Sequence, residues 1–133
     1  MSKTESPLFC TRAASGAATG GASDARWAPN TDVYVTDPGL VIKVELAGIR
    51  REDLEITVEG SRITISGQRP DCCRSPGCRF LMMEINYGHF ETVIDLPPGY
   101  DLGRAKAAYQ NGFLRIDVPA LNPAEPLSGA SES

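Results

Sequence analysis

The sequence predicts an all-β fold, a two-sheet antiparallel sandwich, on three observations. Apolar and polar side chains alternate with period two through the middle of the chain, which puts one set on a core and the other in water. Turn residues separate these short runs throughout 27–119, leaving room for seven or eight strands, the spacing of a sandwich. Helical patterns are nearly absent, since only the turns at 50–53 and 101–104 could coil briefly. A length of 133 residues accommodates one domain with tails and argues against two full domains.

Taken in order, residues 1–26 hold Gly16, Gly20 and Gly21 among Ala, Ser and Thr, with Leu8 and Phe9 as the only large aliphatic or aromatic side chains after Met1. Such a segment buries too little surface to offset its ordering entropy and is expected to be a flexible arm. The domain is expected over 27–119, which contains eight of the nine aromatic residues. Leu40, Ile42, Val44 and Leu46 alternate with Val41, Lys43 and Glu45 as one half-buried strand. Leu54, Ile56 and Val58 form the next, then Ile63 and Ile65, with a turn near Gly60. Phe90, Thr92, Ile94 and Leu96 make another inward face, and Leu114, Ile116 and Val118 the last. Gln110-Asn111-Gly112 lies between 105–109 and that last strand, and Asn-Gly supplies the positive φ angles of a tight hairpin. Residues 120–133, with Pro123, Pro126 and Gly129, show no periodic pattern and are expected to be a flexible tail.

The segment 80–87 places Leu81, Met83, Ile85 and Tyr87 on one face and Phe80, Met82, Glu84 and Asn86 on the other, after a Pro/Gly/Cys-rich stretch. It reads as a strand projected on a loop. Left solvated, such a strand is an aggregation hazard unless another chain or its own sheet pairs with it.

Composition narrows the function. The net charge is −4 and the basic residues are scattered, so a phosphate backbone meets no attractive stripe and nucleic-acid binding is not expected. Apolar runs such as 80–83 and 40–42 are far too short to span a bilayer, and 1–10 lack the apolar stretch of a secretory signal; no membrane partner and a cytoplasmic location are expected. His89, the one histidine, faces away from Phe90 by register, and Glu52-Asp53 follows Arg50-Arg51 in a turn, where solvated charge and local capping explain it. GAATGGA lacks the strand, helix and Lys of a phosphate loop. No enzyme, cofactor or metal is expected.

Cysteine is the unusual feature: Cys72, Cys73 and Cys78 crowd the loop CCRSPGC, with Cys10 apart. Free thiols are the expectation in a reducing compartment, with a redox-sensitive disulfide favoured by Arg74 and Arg79 as the main alternative and a zinc site, which lacks an evident fourth ligand, the least favoured.

The run Trp27-Ala28-Pro29, then DVYVTD at 32–37, LVIKVELAGIRREDLEITVEG and ITISGQR resembles the α-crystallin domain of bacterial small heat-shock proteins, the Hsp20 family. MEINYGHFETVIDLP and AAYQNGFLRIDVP resemble the family's Tyr-Gly-x-Phe and A-x-Y-x-N-G-x-L-x-I-x-x-P stretches, in the right order across 27–119.

The resemblance implies an immunoglobulin-like sandwich and an ATP-independent holdase, a chaperone that keeps partly unfolded clients from aggregating. It also implies a homodimer or small oligomer. In it, Phe80, Leu81, Met82, Met83, Glu84, Ile85 and Tyr87 cross to a partner subunit and pair with its first strand, which includes Val33, Tyr34 and Val35. A groove for clients or tails is implied beside Leu54, Ile56, Val58, Ala107 and Tyr109, although for any single one of them a place in the core is the better expectation. The other function in view is a sandwich interaction or co-chaperone module with a redox-sensitive loop at Cys72, Cys73 and Cys78.

Overall fold

The computed structural model describes residues 4–7, 25–71 and 75–121. Eight strands are present among them: β1 (Thr4–Pro7), β2 (Thr31–Val35), β3 (Gly39–Glu45), β4 (Leu54–Glu59), β5 (Arg62–Arg69), β6 (Gly88–Asp95), β7 (Lys106–Gln110) and β8 (Phe113–Pro119). They form a five-stranded sheet in the order β1-β7-β8-β3-β2 and a three-stranded sheet in the order β4-β5-β6. Every ladder between these strands is antiparallel. The fold is therefore the two-sheet antiparallel sandwich the alternation predicts.

The inward faces meet in one core. Leu40, Ile42 and Val44 of β3 and Leu114, Ile116 and Val118 of β8 pack with Ile56, Ile63, Ile65 and Phe90 of the smaller sheet. Fully burying a side chain of this size stabilises by roughly 1.5–3 kcal/mol. Val41, on the opposite face of β3, is also only 2% exposed, and the register sets it between Tyr34 and Asp117.

The connections follow their local chemistry. Asn111 and Gly112 take φ 56° and 84°, the pair of positive angles of a type I′ turn, and they join β7 to β8 with Gln110 opposite Phe113. The two short turns form as 3₁₀ helices at Arg51–Asp53 and Leu102–Arg104. In the second, the Asp101 carboxylate accepts from the Gly103 N–H at 3.0 Å.

Two features differ from expectation. Thr4–Pro7, inside the segment expected to be a flexible arm, is strand β1 and runs along β7 with Thr4 opposite Tyr109 and Pro7 opposite Lys106. A ladder joins backbone to backbone, so a segment with no apolar alternation can still cover a sheet edge that would otherwise hold unpaired N–H and C=O groups. The segment 80–87, expected as a strand, belongs to no ladder among the described residues. Its alternation fixes which side chains share a face but supplies no neighbour, and within this chain no strand among the described residues lies beside it.

Candidate functional site

Exposed apolar surface is concentrated in two places. Eight of the eleven exposed large apolar residues among the described ones lie on β2 (Val33, Tyr34, Val35) or in 80–87 (Phe80, Leu81, Met82, Met83, Ile85). Leu81 is 95% exposed and Val35 67%. Scattered single exposures are ordinary, whereas gathered ones mark surfaces that meet a partner. Glu84 is exposed with this group, and Tyr87 is half-buried at its base.

β2 is an edge. It pairs with β3 from Thr31 opposite Val44 to Val35 opposite Leu40, and among the described residues no strand lies on its other side. The residues expected to pair across a dimer are thus an open strand edge and an extended apolar segment of matching character. In the single chain they are not brought together.

The five residues expected beside a groove divide. Leu54, Ile56 and Ala107 are core residues, between 0% and 8% exposed, so they can support a groove but not line it. Tyr109 packs against the core and its hydroxyl donates to the Leu46 carbonyl at 2.5 Å. Val58 alone of the five borders a cleft of about 870 Å³. The cleft runs between Val58 on β4 and 102–106 on the approach to β7, with Pro38, Leu40, Val118 and Pro119 along its apolar wall and Arg104, Lys106 and Asp117 among its lining residues. Pro38 and Pro119, which line this cleft, were not among the residues expected from the sequence. They carry no periodic signal, and only the fold brings them together.

β1 occupies the outer edge of β7. Removing residues 1–7 should uncover that edge, and exchange of backbone amides in Lys106–Gln110 is expected to quicken roughly tenfold, the scale of one lost hydrogen bond. Deuterium uptake read by mass spectrometry checks this, with β3 and β8 as unchanged references.

Cys78 is exposed, closing a turn in which its N–H donates to the Ser75 carbonyl at 3.2 Å. Cys72 and Cys73 lie outside the described residues. Among the described residues no three His, Cys, Asp or Glu side chains are grouped to hold a metal ion, and no helix is long and apolar enough to cross a membrane. His89 is half-buried, with its backbone carbonyl accepting from the Arg26 N–H at 2.8 Å. Away from these surfaces, Arg62 and Asp95 stand opposite each other in the β5–β6 ladder. Two hydrogen bonds, at 2.7 and 3.3 Å, join the guanidinium to the carboxylate. The hydrogen bond from Arg62 holds the Asp95 carboxyl below its ordinary range, and both groups are exposed, where such a pair contributes little to stability.

This geometry defines a class of protein, a β-sandwich whose exposed apolar surface is gathered on one edge strand and one extended loop segment. The chain belongs to the Hsp20/alpha crystallin family, which matches residues 32–131. It is similar to small heat shock protein C2 of Rickettsia felis, 34% identical over 68% of this chain and 59% of that protein. It is also similar to spore protein SP21 of Stigmatella aurantiaca, 31% identical over 74% of this chain and 58% of that one. The chain thus spans under two thirds of the length of these curated relatives. Among solved structures, hspA of Xanthomonas axonopodis superposes with a TM-score of 0.66 at 29% identity, covering 73% of this chain and 97% of that one.

Proposed function

We propose that this chain is an ATP-independent holdase of the cytoplasm, assembled as a homodimer in which 80–87 of each subunit pairs with β2 of the other. The observation that carries the reading is the gathering of exposed apolar side chains on an edge strand that is open on one side among the described residues, and on an extended segment. Exchange of two identical segments closes both edges at once in a two-fold arrangement. Backbone groups on β2 then gain partners, and Leu81, Met83 and Ile85 leave water. Family membership supports the same reading. The cleft beside Val58 gives partly unfolded clients an apolar wall of aliphatic and proline side chains.

The test is suppression of aggregation of several unrelated heated proteins, without nucleotide, at chaperone-to-client ratios near one. Protection of a single client only, or none, would overturn the holdase reading. The exposed position of Cys78 in the loop before 80–87 favours a second reading, in which the same sandwich is an interaction module whose loop responds to oxidation. Replacing Cys72, Cys73 and Cys78 together by Ser is expected to change stability by no more than about 0.5 kcal/mol in reductant and to leave the dimer intact. Denaturant titration and light scattering check both. A large loss on substitution or on chelation would point to a structural metal in the loop.

A further inference from the structure

The exposed run of 80–86 ends at a single side chain. Arg69, the last residue of β5, stands opposite Gly88 at the end of the β5–β6 ladder. Its Nε donates to the Asn86 carbonyl at 2.9 Å and its Nη1 to the Ala47 carbonyl at 3.1 Å. Its guanidinium carbon lies 4.5 Å from the centre of the Trp27 ring and 6.0 Å from that of Tyr87. Trp27 is itself fixed, since its Nε1 donates to the Gly88 carbonyl at 3.3 Å and its ring lies 5.3 Å from that of Phe90, a fully buried residue. Arg69 therefore joins the base of the projecting segment to the connection after β3 and to the residues that lead into β2.

The next backbone unit along the segment is also set. Gly88 takes φ +95°, and a Cβ there would meet the Arg26 guanidinium at 3.2 Å, so the backbone where the segment joins β6 holds a conformation that suits glycine and few other residues. A segment that must reach an edge on another subunit needs a fixed direction of departure, because a freely jointed root spreads its tip over many positions and lowers the fraction able to dock. Arg69 meets the demand through geometry rather than charge. One planar group donates in two directions while its face covers an indole, which an ammonium cannot reproduce.

We infer that Arg69 is a positioning residue for assembly, setting the direction in which 80–87 leaves the sandwich and so the strength with which it pairs with a second copy of this chain. The inference rests on the exchange reading proposed above. Arg69→Lys is expected to leave the chain folded and to weaken the homodimer about 10- to 100-fold, the scale of one or two charge-assisted hydrogen bonds. Dilution series by analytical ultracentrifugation give the dissociation constant. Arg62→Lys, on the same strand but bonded to Asp95, serves as the control with an unchanged constant.

Trp27 is the only tryptophan, so its emission and its quenching by iodide report the stacked guanidinium directly, a signature that a loss of general stability would not produce in a folded variant. Arg69→Gln is the second variant if the lysine form does not fold, with the same expected direction. A chain lacking 80–87 separates the two ideas. If that deletion stays dimeric, the exchange reading fails and the role of Arg69 with it. If the deletion is monomeric while a folded Arg69 variant keeps its dissociation constant within about twofold of the original, exchange stands and the positioning role is overturned.

Discussion

Deleting residues 80–87 should turn the protein into a monomer at concentrations where the full chain is dimeric. The core does not depend on this segment, since Leu81, Met82 and Ile85 are each more than 60% exposed in the single chain. In the exchanged dimer Leu81, Met83 and Ile85 of both subunits would leave water, a gain on the order of 10 kcal/mol at about 1.5–3 kcal/mol for each fully buried side chain. Association itself costs roughly 4–15 kcal/mol, so without the segment no comparable surface remains to offset it. Size exclusion with light scattering should show one subunit mass, and thermal unfolding should still be cooperative. A deletion variant that keeps twice the subunit mass would sink the exchange model. Replacing Leu81 and Ile85 by Ser should act in the same direction with the backbone retained.

The second large effect concerns the C-terminal stretch after β8. Members of this family commonly carry an Ile-x-Ile or Ile-x-Val pair in this region, which joins dimers into large shells. In this sequence the stretch reads ALNPAEPLSGASES, where Leu121 and Leu127 are the large aliphatics and no such pair occurs. At about 1.5–3 kcal/mol for each buried aliphatic side chain, the missing pair forfeits roughly 3–6 kcal/mol per link. That is about two to four orders of magnitude in association constant. The 133-residue chain is therefore expected to form dimers or small oligomers at micromolar concentration, and truncation after Ala120 should barely change its size distribution. Particles of twelve or more subunits would contradict the argument. Leu127 lies outside the described residues and, as a lone anchor, is the position to substitute if larger particles occur.

How much of this was legible in the sequence depends on what each element needs. β3, β5 and β8 announce themselves because a half-buried strand writes its burial at period two, and Ile42, Ile65 and Ile116 all end fully buried. The turn at Asn111-Gly112 was legible because few residues accept its angles. β1 was not, since Thr-Glu-Ser-Pro joins β7 through backbone groups that carry no side-chain pattern. Val58, which borders the cleft, was legible on its strand, whereas Pro38, just before β3, and Pro119, at the end of β8, come together only through the β3–β8 ladder. Arg69 was silent in the sequence. Nothing about an arginine at the end of a strand tells which carbonyls will lie within its reach, and the two it meets, of Ala47 and Asn86, belong to separate loops.

The pairing of β3 with β8 has a consequence for how the molecule comes into being. Gly39 pairs with Pro119 and Glu45 with Phe113, so the central ladder of the larger sheet joins the start of the domain to its end. The smaller sheet is different, because β4, β5 and β6 are neighbours in both sequence and space. Contacts between distant residues carry a loop-closure cost before they return any stabilisation. On a growing chain, the smaller sheet can form while β3, whose Leu40, Ile42 and Val44 need β8 beside them, still waits in water. Until β8 is made, β3 has only β2 beside it, so the nascent chain exposes an open aliphatic strand edge of its own, and during synthesis the protein is in the condition of a client.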